Sequence, residues 1–214
     1  MTERESIIHF ATTNRHKFRE ASNAVAPFGI RLKRLNVEKL EIQANSLTAI
    51  VTTAANEFIK NRVARAVITD DSGIFIHSLN GFPGPYSSFV FETLGSKGIL
   101  RLLEHTTNRE AYFQAAVAYC AIRCTPVSFT GIVKGSVSRE PKGNFGFGYD
   151  PIFIPKSGDG RTFGEMSIAQ KNRLSHRAKA FSNFCKWYTT HKFGDEGKLN
   201  NRTLRRREQS LSGL

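Results

Sequence analysis

The stretch Ala66-Val-Ile-Thr-Asp-Asp-Ser-Gly-Ile-Phe-Ile76 lies in the first half of the sequence and joins an apolar run to two adjacent acids. Ala66 to Thr69 predicts a short buried strand, and the polar Asp70-Asp71-Ser72-Gly73 follows at its end, before the apolar Ile74 to Ile76. Because adjacent side chains of a strand point to opposite faces, one carboxylate can enter a cleft while the other braces a turn. The alternative is a plain strand-end turn, since Asp, Ser and Gly are common turn formers.

The second acid of this stretch, Asp71, is the candidate for chemistry. Carboxylate oxygens suit Mg²⁺, which usually takes one or two carboxylates together with phosphates and water. Asp71 could therefore serve a metal ion and a water molecule together. Glu41, which stands in a segment of mixed polarity, is by itself an ordinary surface acid.

Strand and helix patterns alternate on both sides of this stretch, which predicts an α/β fold with a mixed sheet. Ser6 to Thr12 predicts a strand, and apolar residues at helical spacing then predict a helix that stops at Pro27 to Gly29. The further predicted elements are a strand from Ile30 to Leu35, a helix from Ser46 to Arg62, a helix from Ser96 to Glu104, an antiparallel pair of strands from Ala111 to Ile122 and from Ser128 to Val137, a strand-like Pro151 to Pro155, and a helix from Ser175 that buries Ala178, Phe181, Phe184, Cys185 and Tyr188.

The composition limits the class of protein. Of the 214 residues, 40% are hydrophobic, which is too many for a disordered chain, and the longest apolar run, Ala115 to Ile122, is too short to cross a bilayer. The three cysteines form no disulfide framework, and the first residues do not resemble a targeting peptide, so we expect a cytoplasmic protein. A net charge of +13 makes nucleic acid, anionic membrane or phosphorylated small molecules the expected partners.

Two predicted helices begin with cations, although the helix dipole favours acids in the first turn. Arg15-His16-Lys17 opens the first helix, and His176-Arg177 opens the last one behind Ser175. A bound phosphate at each helix start would account for this, because backbone N–H groups and nearby cations both bind anions there. Lys171 could reach the same anion if the residues up to Ser175 form a turn. The alternative is that these cations point to solvent.

Glycines alternate with aromatic residues from Phe145 to Asp150. Glycine lets the backbone approach a ligand closely, and an aromatic ring can stack on a flat one, so the segment could hold a nucleotide base. A glycine-rich hairpin with its aromatic rings in the core is an equally good interpretation of this segment alone.

Taken in order, these segments resemble the inosine triphosphate pyrophosphatase family, and the overall pattern is most similar to archaeal members. The resemblance covers residues 7 to about 188. It rests on Thr12 to Lys17, the Asp70-Asp-Ser-Gly73 segment, Gly81-Phe-Pro-Gly-Pro-Tyr-Ser87, Phe147-Gly-Tyr-Asp-Pro151, and Lys171 with Ser175-His-Arg177. It implies a two-lobed α/β fold with the active-site cleft between the lobes, a homodimer, a requirement for Mg²⁺, and hydrolysis of ITP, dITP and XTP to the monophosphate and pyrophosphate.

The same resemblance implies a role for each matching residue. Asp71 would accept a proton and bind the metal, with Glu41, or the nearby Glu38, as second metal ligand. The implied substrate-binding residues are Thr12, Thr13, Asn14, Arg15, His16 and Lys17 on the triphosphate, Ser72 beside them, and Phe147, Gly148, Tyr149, Asp150, Lys171, His176 and Arg177 around the purine. Within this last group, His176 and Arg177 would bind the 6-oxo group that adenine lacks.

Three features depart from the family pattern: Phe145 and Ala178 stand where glycine is usual, and the basic tail has no counterpart there. We predict a catalytic domain from residue 1 to 188 and a disordered tail from 189 to 214 that could bind nucleic acid. Two other functions stay open from the sequence. One is a pyrophosphatase for modified pyrimidine nucleotides, and the other is a basic nucleic-acid-binding protein without enzymatic activity.

Overall fold

A six-stranded mixed sheet forms the centre of the computed structural model, which describes residues 6–191. The strands are β1 (Ser6–Ala11), β2 (Ile30–Leu35), β3 (Ala66–Ile76), β4 (Glu110–Ala121), β5 (Val127–Val137) and β6 (Phe153–Pro155). Their order is β2-β1-β3-β4-β5-β6, in which β1 is parallel to β2 and β3 and the other neighbours are antiparallel. The predicted α/β class and the predicted antiparallel pair are confirmed, whereas the division into two lobes stays a prediction.

Five α-helices flank the sheet in the described part of the chain. They are α1 (Arg15–Val25), α2 (Leu47–Lys60), α3 (Ser87–Leu102), α4 (Ile168–Asn172) and α5 (residues 176–191). A serine caps the start of two of these helices: Ser46 Oγ accepts from the amide of Ala49, and Ser175 Oγ accepts from the amide of Ala178. Local sequence signals therefore specified where α2 and α5 begin.

The start of α3 differs from the prediction, which placed the helix at Ser96 to Glu104. The observed helix begins at Ser87 and is interrupted at Gly95, whose φ of 62° is non-helical, so the prediction matched only the second half. Two sequence signals commonly mark the start of a helix: a capping side chain and apolar residues that are all buried on one face. The first half of α3 has no side-chain N-cap, and its Phe89 is 67% exposed. A tertiary contact anchors it instead, because Ser87 Oγ accepts from the amide of Ile74 on β3.

The acidic segment of β3 is also not the predicted turn. Residues 66–76 form one continuous strand, and Asp70, Asp71, Ser72 and Gly73 all pair with β4. The long facing strand supplies backbone partners for these residues, so no turn is required. Gly73 is needed for a different reason, since a Cβ at this position would overlap the carbonyl group of Gly84.

Alternation along the strands separates the core into packed layers. Phe10 of β1 packs in a cluster with α1 and α5, whereas the next residue, Ala11, packs with α2 on the opposite face. A further cluster joins the ends of β3 and β4 to α3 and β6. The sheet thus carries α1 and α5 on one face and α2 on the other, which brings the starts of α1 and α5 to the middle of β3.

The last helix runs past the predicted domain end at residue 188, because residues 189–191 are still helical. The remaining part of the predicted tail, residues 192–214, lies outside the described residues. On α5 the buried alanine is Ala180, and the predicted Ala178 is half-buried. None of the helices described here has an apolar length sufficient to span a membrane.

The contact between α5 and the sheet depends on Gly131 of β5, because a Cβ there would overlap the backbone of His176 and Ala180. We expect Gly131→Ala to lower the free energy of unfolding by about 1–3 kcal/mol through overpacking. Denaturant unfolding measures the change. Thr130→Val is the control, since it changes the neighbouring, exposed residue of β5 by replacing a hydroxyl with a methyl group at nearly constant volume. Equal stability of the two variants would contradict the close approach.

Candidate active site

Most of the residues singled out from the sequence, although not Arg15 or His16, line two adjoining cavities above the middle of β3. The central cavity, of about 360 Å³, is lined by Asn14, Lys17, Glu41, Asp71, Ser72, Phe147, Gly148, Tyr149, Asp150, Lys171, His176 and Arg177, with Phe113 among further residues. The side cavity, of about 450 Å³, shares Asn14, Lys17 and Glu41 and adds Thr12, Thr13, Glu38, Lys39 and Asp70. Sequence positions far apart thus contribute to one connected site.

The two adjacent acids of β3 have different surroundings. Asp70 is 2% exposed and receives Lys17 and Arg177, whose nitrogen atoms lie 3.4 and 2.8 Å from its carboxylate oxygens. Burial alone would raise the pKa of Asp70, but the surrounding cations lower it to about 2, so Asp70 is ionised. Asp71 lines the central cavity and keeps a partly exposed carboxylate. Asp71 is thus the acid of this pair that a ligand can reach.

Lys39 brings the proposed metal ligands together. Its Nζ lies 3.2 Å from Asp71 Oδ1 and 3.3 Å from Glu41 Oε1, and it donates to the carbonyl oxygen of Asp70 at 3.0 Å. Burial alone would lower the pKa of Lys39, but the three neighbouring carboxylates raise it above its usual value, so the ammonium is charged. Glu38 also lines the side cavity. Among the described residues, no three Asp, Glu, His or Cys side chains converge as a metal site.

A buried ionic network forms the opposite wall of the central cavity. Lys171 Nζ donates to Glu20 Oε1 and Asp150 Oδ2, both at 2.6 Å, and Arg177 donates to Glu20 Oε2 at 2.6 Å and to Ser72 Oγ at 2.7 Å. Burial alone would raise the pKa of Glu20, but the two cations lower it below its usual value. The network therefore ties β3, α1, α4 and α5 together beside the cavity.

The glycine and aromatic segment fits neither of its two simple interpretations alone. Phe147 lines the central cavity, and Lys171 Nζ and Arg177 Cζ lie 5.0 and 5.5 Å from the centre of its ring. Tyr149 is 4% exposed and belongs to the hydrophobic core, while Phe145 is 60% exposed. Phe147 thus lies at the cavity, Tyr149 belongs to the core and also lines the cavity, and Phe145 is exposed.

His176 is buried at the base of the central cavity. Its ring stacks on Phe113, with centroids 4.6 Å apart and planes 9° apart. Burial and the nearby cations Arg177 and Lys171 hold the pKa of His176 well below its usual value, so the ring is neutral at pH 7. Its Nδ1 has no hydrogen-bond partner in the described part of the chain. Because the neutral ring also lines the central cavity, it can offer a ring nitrogen to a ligand there.

The start of α1 meets the expectation of an anion site only in part. Asn14 Oδ1 accepts from the amides of His16 and Lys17, so these two donors are already used by the helix cap. Lys17 reaches the acids of β3, and the His16 ring lies 5.4 Å from the Phe147 ring. Arg15 is exposed and is not among the described residues that line either cavity, as the alternative of solvent-facing cations expected.

Glu20 and Lys39 were missed from the sequence. Glu20 lies on the same face of α1 as Lys17, three residues away, so a buried acid on that helix was a signal in principle. Lys39 lies in a segment without regular structure between β2 and α2, and no local pattern distinguishes it from a surface lysine. Phe113 was predicted as part of a strand, but its stacking on His176 depends on the fold.

Comparison with proteins of known sequence finds close relatives. Proteins named dITP/XTP pyrophosphatase from Saccharolobus solfataricus and Methanopyrus kandleri are 47% and 46% identical to this chain. The first alignment covers 87% of this chain and 96% of the relative, and the second covers 84% and 94%. The similarity thus extends over almost the whole of each relative.

Solved structures agree with the fold. The HAM1 protein of Coxiella burnetii superposes with a TM-score of 0.74 at 27% identity, over 86% of this chain and 99% of that protein. The Ham1 protein of Staphylococcus aureus gives 0.72 at 25% identity, over 87% and 100%. The sequence pattern of the Ham1 family matches residues 8–187. These matches confirm the resemblance drawn from the sequence, and the chain belongs to the Ham1 family.

Proposed function

We propose that this chain hydrolyses non-canonical purine nucleoside triphosphates, such as ITP, dITP and XTP, to the nucleoside monophosphate and pyrophosphate. The observation that carries the proposal is the 40–47% identity to archaeal proteins named dITP/XTP pyrophosphatase, which extends over at least 94% of each relative. The chain is accordingly a hydrolase that acts on the triphosphate, and it removes nucleotides that polymerases could misincorporate.

The charges of the two cavities support a binding mode. The triphosphate occupies the side cavity beside Lys17, Thr12 and Thr13, where ammonium and hydroxyl groups can donate to phosphate oxygens. The purine occupies the central cavity, where Phe147 offers a ring for stacking. The helix cap by Asn14 leaves the Arg15 amide as a further donor, because only the next two amides are used.

The residues present also fit a magnesium ion. Two carboxylate oxygens, from Asp71 and Glu41, already converge on one cation, the ammonium of Lys39. Mg²⁺ needs no more than one or two carboxylates when phosphates and water complete its shell. Asp71 and Glu41 would hold the ion, which when bound neutralises charge that develops on the phosphate oxygens.

In the reaction, Asp71 accepts a proton from a water molecule that attacks the α-phosphorus. A new P–O bond forms to that water oxygen, the bond from the α-phosphorus to the bridging oxygen breaks, and pyrophosphate leaves with the electron pair. Lys17 lies 3.5 Å from Asp71 Oδ1 and holds this carboxylate in place beside the triphosphate. Asp70 is saturated by its own cations and positions Arg177 and Lys17.

Selection of the base follows from His176. Its neutral ring lines the central cavity, and a ring N–H that faces the cavity can bond the 6-oxo group of hypoxanthine or xanthine. Adenine presents an amino donor at that position and leaves the buried group unpaired, so ATP is disfavoured. Arg177, already bonded to three side chains, forms a rigid wall beside it.

The assembly and location belong to the same proposal. A homodimer is supported by the apolar surface around the start of α3, where Tyr86, Phe89 and Leu94 are 42%, 67% and 50% exposed. We place the enzyme in the cytoplasm, with the catalytic domain in residues 1–188 and a cleft between two lobes.

A substrate panel tests the function. We expect Mg²⁺-dependent release of pyrophosphate from ITP, dITP and XTP, at a kcat/KM about a hundredfold or more above that for ATP. Phosphate and pyrophosphate are measured separately, and modified pyrimidine triphosphates are included. Preference for the pyrimidines would replace the purine assignment. An absence of hydrolysis, combined with salt-sensitive binding to RNA or DNA, would favour the non-enzymatic alternative.

Asp71→Asn tests the proton acceptor. We expect kcat for ITP to fall about a hundredfold or more with little loss of thermal stability, because the variant removes a base and a metal ligand without changing the side-chain volume. Asp159→Asn, the same change at an exposed residue paired with Arg161, is the control and should keep wild-type turnover. Turnover of Asp71→Asn close to that of the control would exclude Asp71 from the mechanism.

His176→Phe tests base selection. The ring can still stack on Phe113 but has no nitrogen, so we expect kcat/KM for ITP to fall about tenfold to a hundredfold while that for ATP changes little. Steady-state kinetics with both substrates measure the ratio. His105→Phe, at an exposed site, should leave the ratio unchanged. An unchanged ratio in His176→Phe would mean that another group selects the base.

A further inference from the structure

We propose that Lys39 is an internal cation at the metal position: its ammonium holds Asp71 and Glu41 together in the free enzyme, and a divalent metal has to displace it. Lys39 is thus a positioning residue that sets how strongly the free enzyme binds metal. This inference rests on the proposed function, because that function assigns a metal to the two carboxylates.

The surroundings of Lys39 Nζ are those of a bound cation. Three oxygen atoms lie around the nitrogen, at 3.2 Å from Asp71, 3.3 Å from Glu41 and 3.0 Å from the carbonyl group of Asp70. An ammonium has three hydrogens to donate, and these three acceptors can use all of them. The Lys39 side chain is only 11% exposed although it belongs to a segment without regular structure, so its ordered position comes from these oxygens.

The ammonium and a divalent metal cannot share this place. Magnesium binds carboxylate oxygens at about 2 Å, so an ion bound to both Asp71 and Glu41 would lie in the space between them that Lys39 Nζ occupies. A charge of +2 next to a charge of +1 is also repelled. Lys17, 3.5 Å from Asp71 Oδ1, is different because it is also held by Asp70, which is not a proposed metal ligand, whereas both carboxylates at Lys39 are proposed metal ligands. Lys39 is therefore the cation that leaves.

The side cavity offers the displaced ammonium a new partner. Lys39 lines this cavity together with Thr12, Thr13 and Lys17, on the same side as the proposed triphosphate. Moving from carboxylates to phosphate oxygens lets Lys39 keep an anionic neighbour. Metal binding is consequently weak in the free enzyme and stronger with nucleotide present, since the triphosphate compensates the lysine that the metal displaces.

Binding of Mn²⁺ without nucleotide tests the inference apart from catalysis. Titration calorimetry and the electron paramagnetic resonance signal of free Mn²⁺ measure the dissociation constant for the full-length chain. We expect Lys39→Met to bind Mn²⁺ about tenfold or more tightly than wild type, because the competing charge is gone. Lys39→Arg, which keeps the charge, should bind as weakly as wild type. Lys60→Met removes a lysine from the exposed end of α2 and controls for net charge.

Thermal unfolding provides a second readout. Without metal, Lys39→Met should melt at a lower temperature than wild type, because Asp71 and Glu41 repel each other, and Mg²⁺ should raise its melting temperature more than it raises that of wild type. If Lys39 only filled space, replacing it would lower the melting temperature but would not increase the stabilisation by Mg²⁺. If Lys39→Met does not fold, Lys39→Gln replaces it, since Gln keeps a hydrogen-bond donor without the charge.

The outcomes separate this inference from the proposed function. Mn²⁺ affinity in a folded Lys39→Met or Lys39→Gln equal to that of wild type and Lys60→Met would overturn the role of Lys39, whatever the enzyme hydrolyses. The variants could also bind Mn²⁺ more tightly while the wild-type protein hydrolyses no nucleoside triphosphate. That result would support the role of Lys39 and refute the proposed reaction.

Discussion

The guanidinium of Arg177 is the contact on which the site depends. It is 1% exposed and donates to Asp70 at 2.8 Å, to Glu20 at 2.6 Å and to Ser72 at 2.7 Å, so one side chain at the start of α5 joins α1 to two positions of β3. Lys171 extends the network from Glu20 to the loop before β6. The planar fork of an arginine can serve three acceptors in fixed directions, which a lysine cannot do.

This network costs desolvation energy, and buried ion pairs are often no more stabilising than apolar packing of the same volume. The network therefore acts mainly by fixing the positions of its side chains, because each cation is held by its acids in one geometry. Removing one partner would leave an uncompensated buried charge. Cations also pair with an acid at the cavity wall, where Lys17 and Lys39 compensate the negative charge of Asp71. The net charge of +13 alone left nucleic acid, anionic membrane and phosphorylated small molecules open as partners, whereas the structure places Lys17, Lys171 and Arg177 around one cavity.

Much of the fold followed from local pattern. The apolar periodicity after Ser46 and its capping hydroxyl define α2 without reference to other elements, and the apolar content of residues 111–122 and 128–137 predicted β4 and β5. The sequence pattern gave wrong predictions where the hydrogen-bond partner of a segment comes from an element distant in the sequence. Residues 70–73 were expected to turn, and they stay extended because β4 pairs with all of them. The first half of the helix that begins at Ser87 was not predicted, because it is held by the hydrogen bond from the Ile74 amide to Ser87 and has no side-chain cap.

The site divides in the same way. By itself the sequence determined the alternation of strands and helices, the family, and which residue types could bind phosphate, base and metal, because these depend on short segments whose spacing is visible. Only the tertiary structure decided that Glu20 meets Lys171, 151 residues away, and that Lys39 lies between Asp71 and Glu41. Side-chain partners of this kind depend on how helices and loops pack onto the sheet, and no local periodicity records that packing.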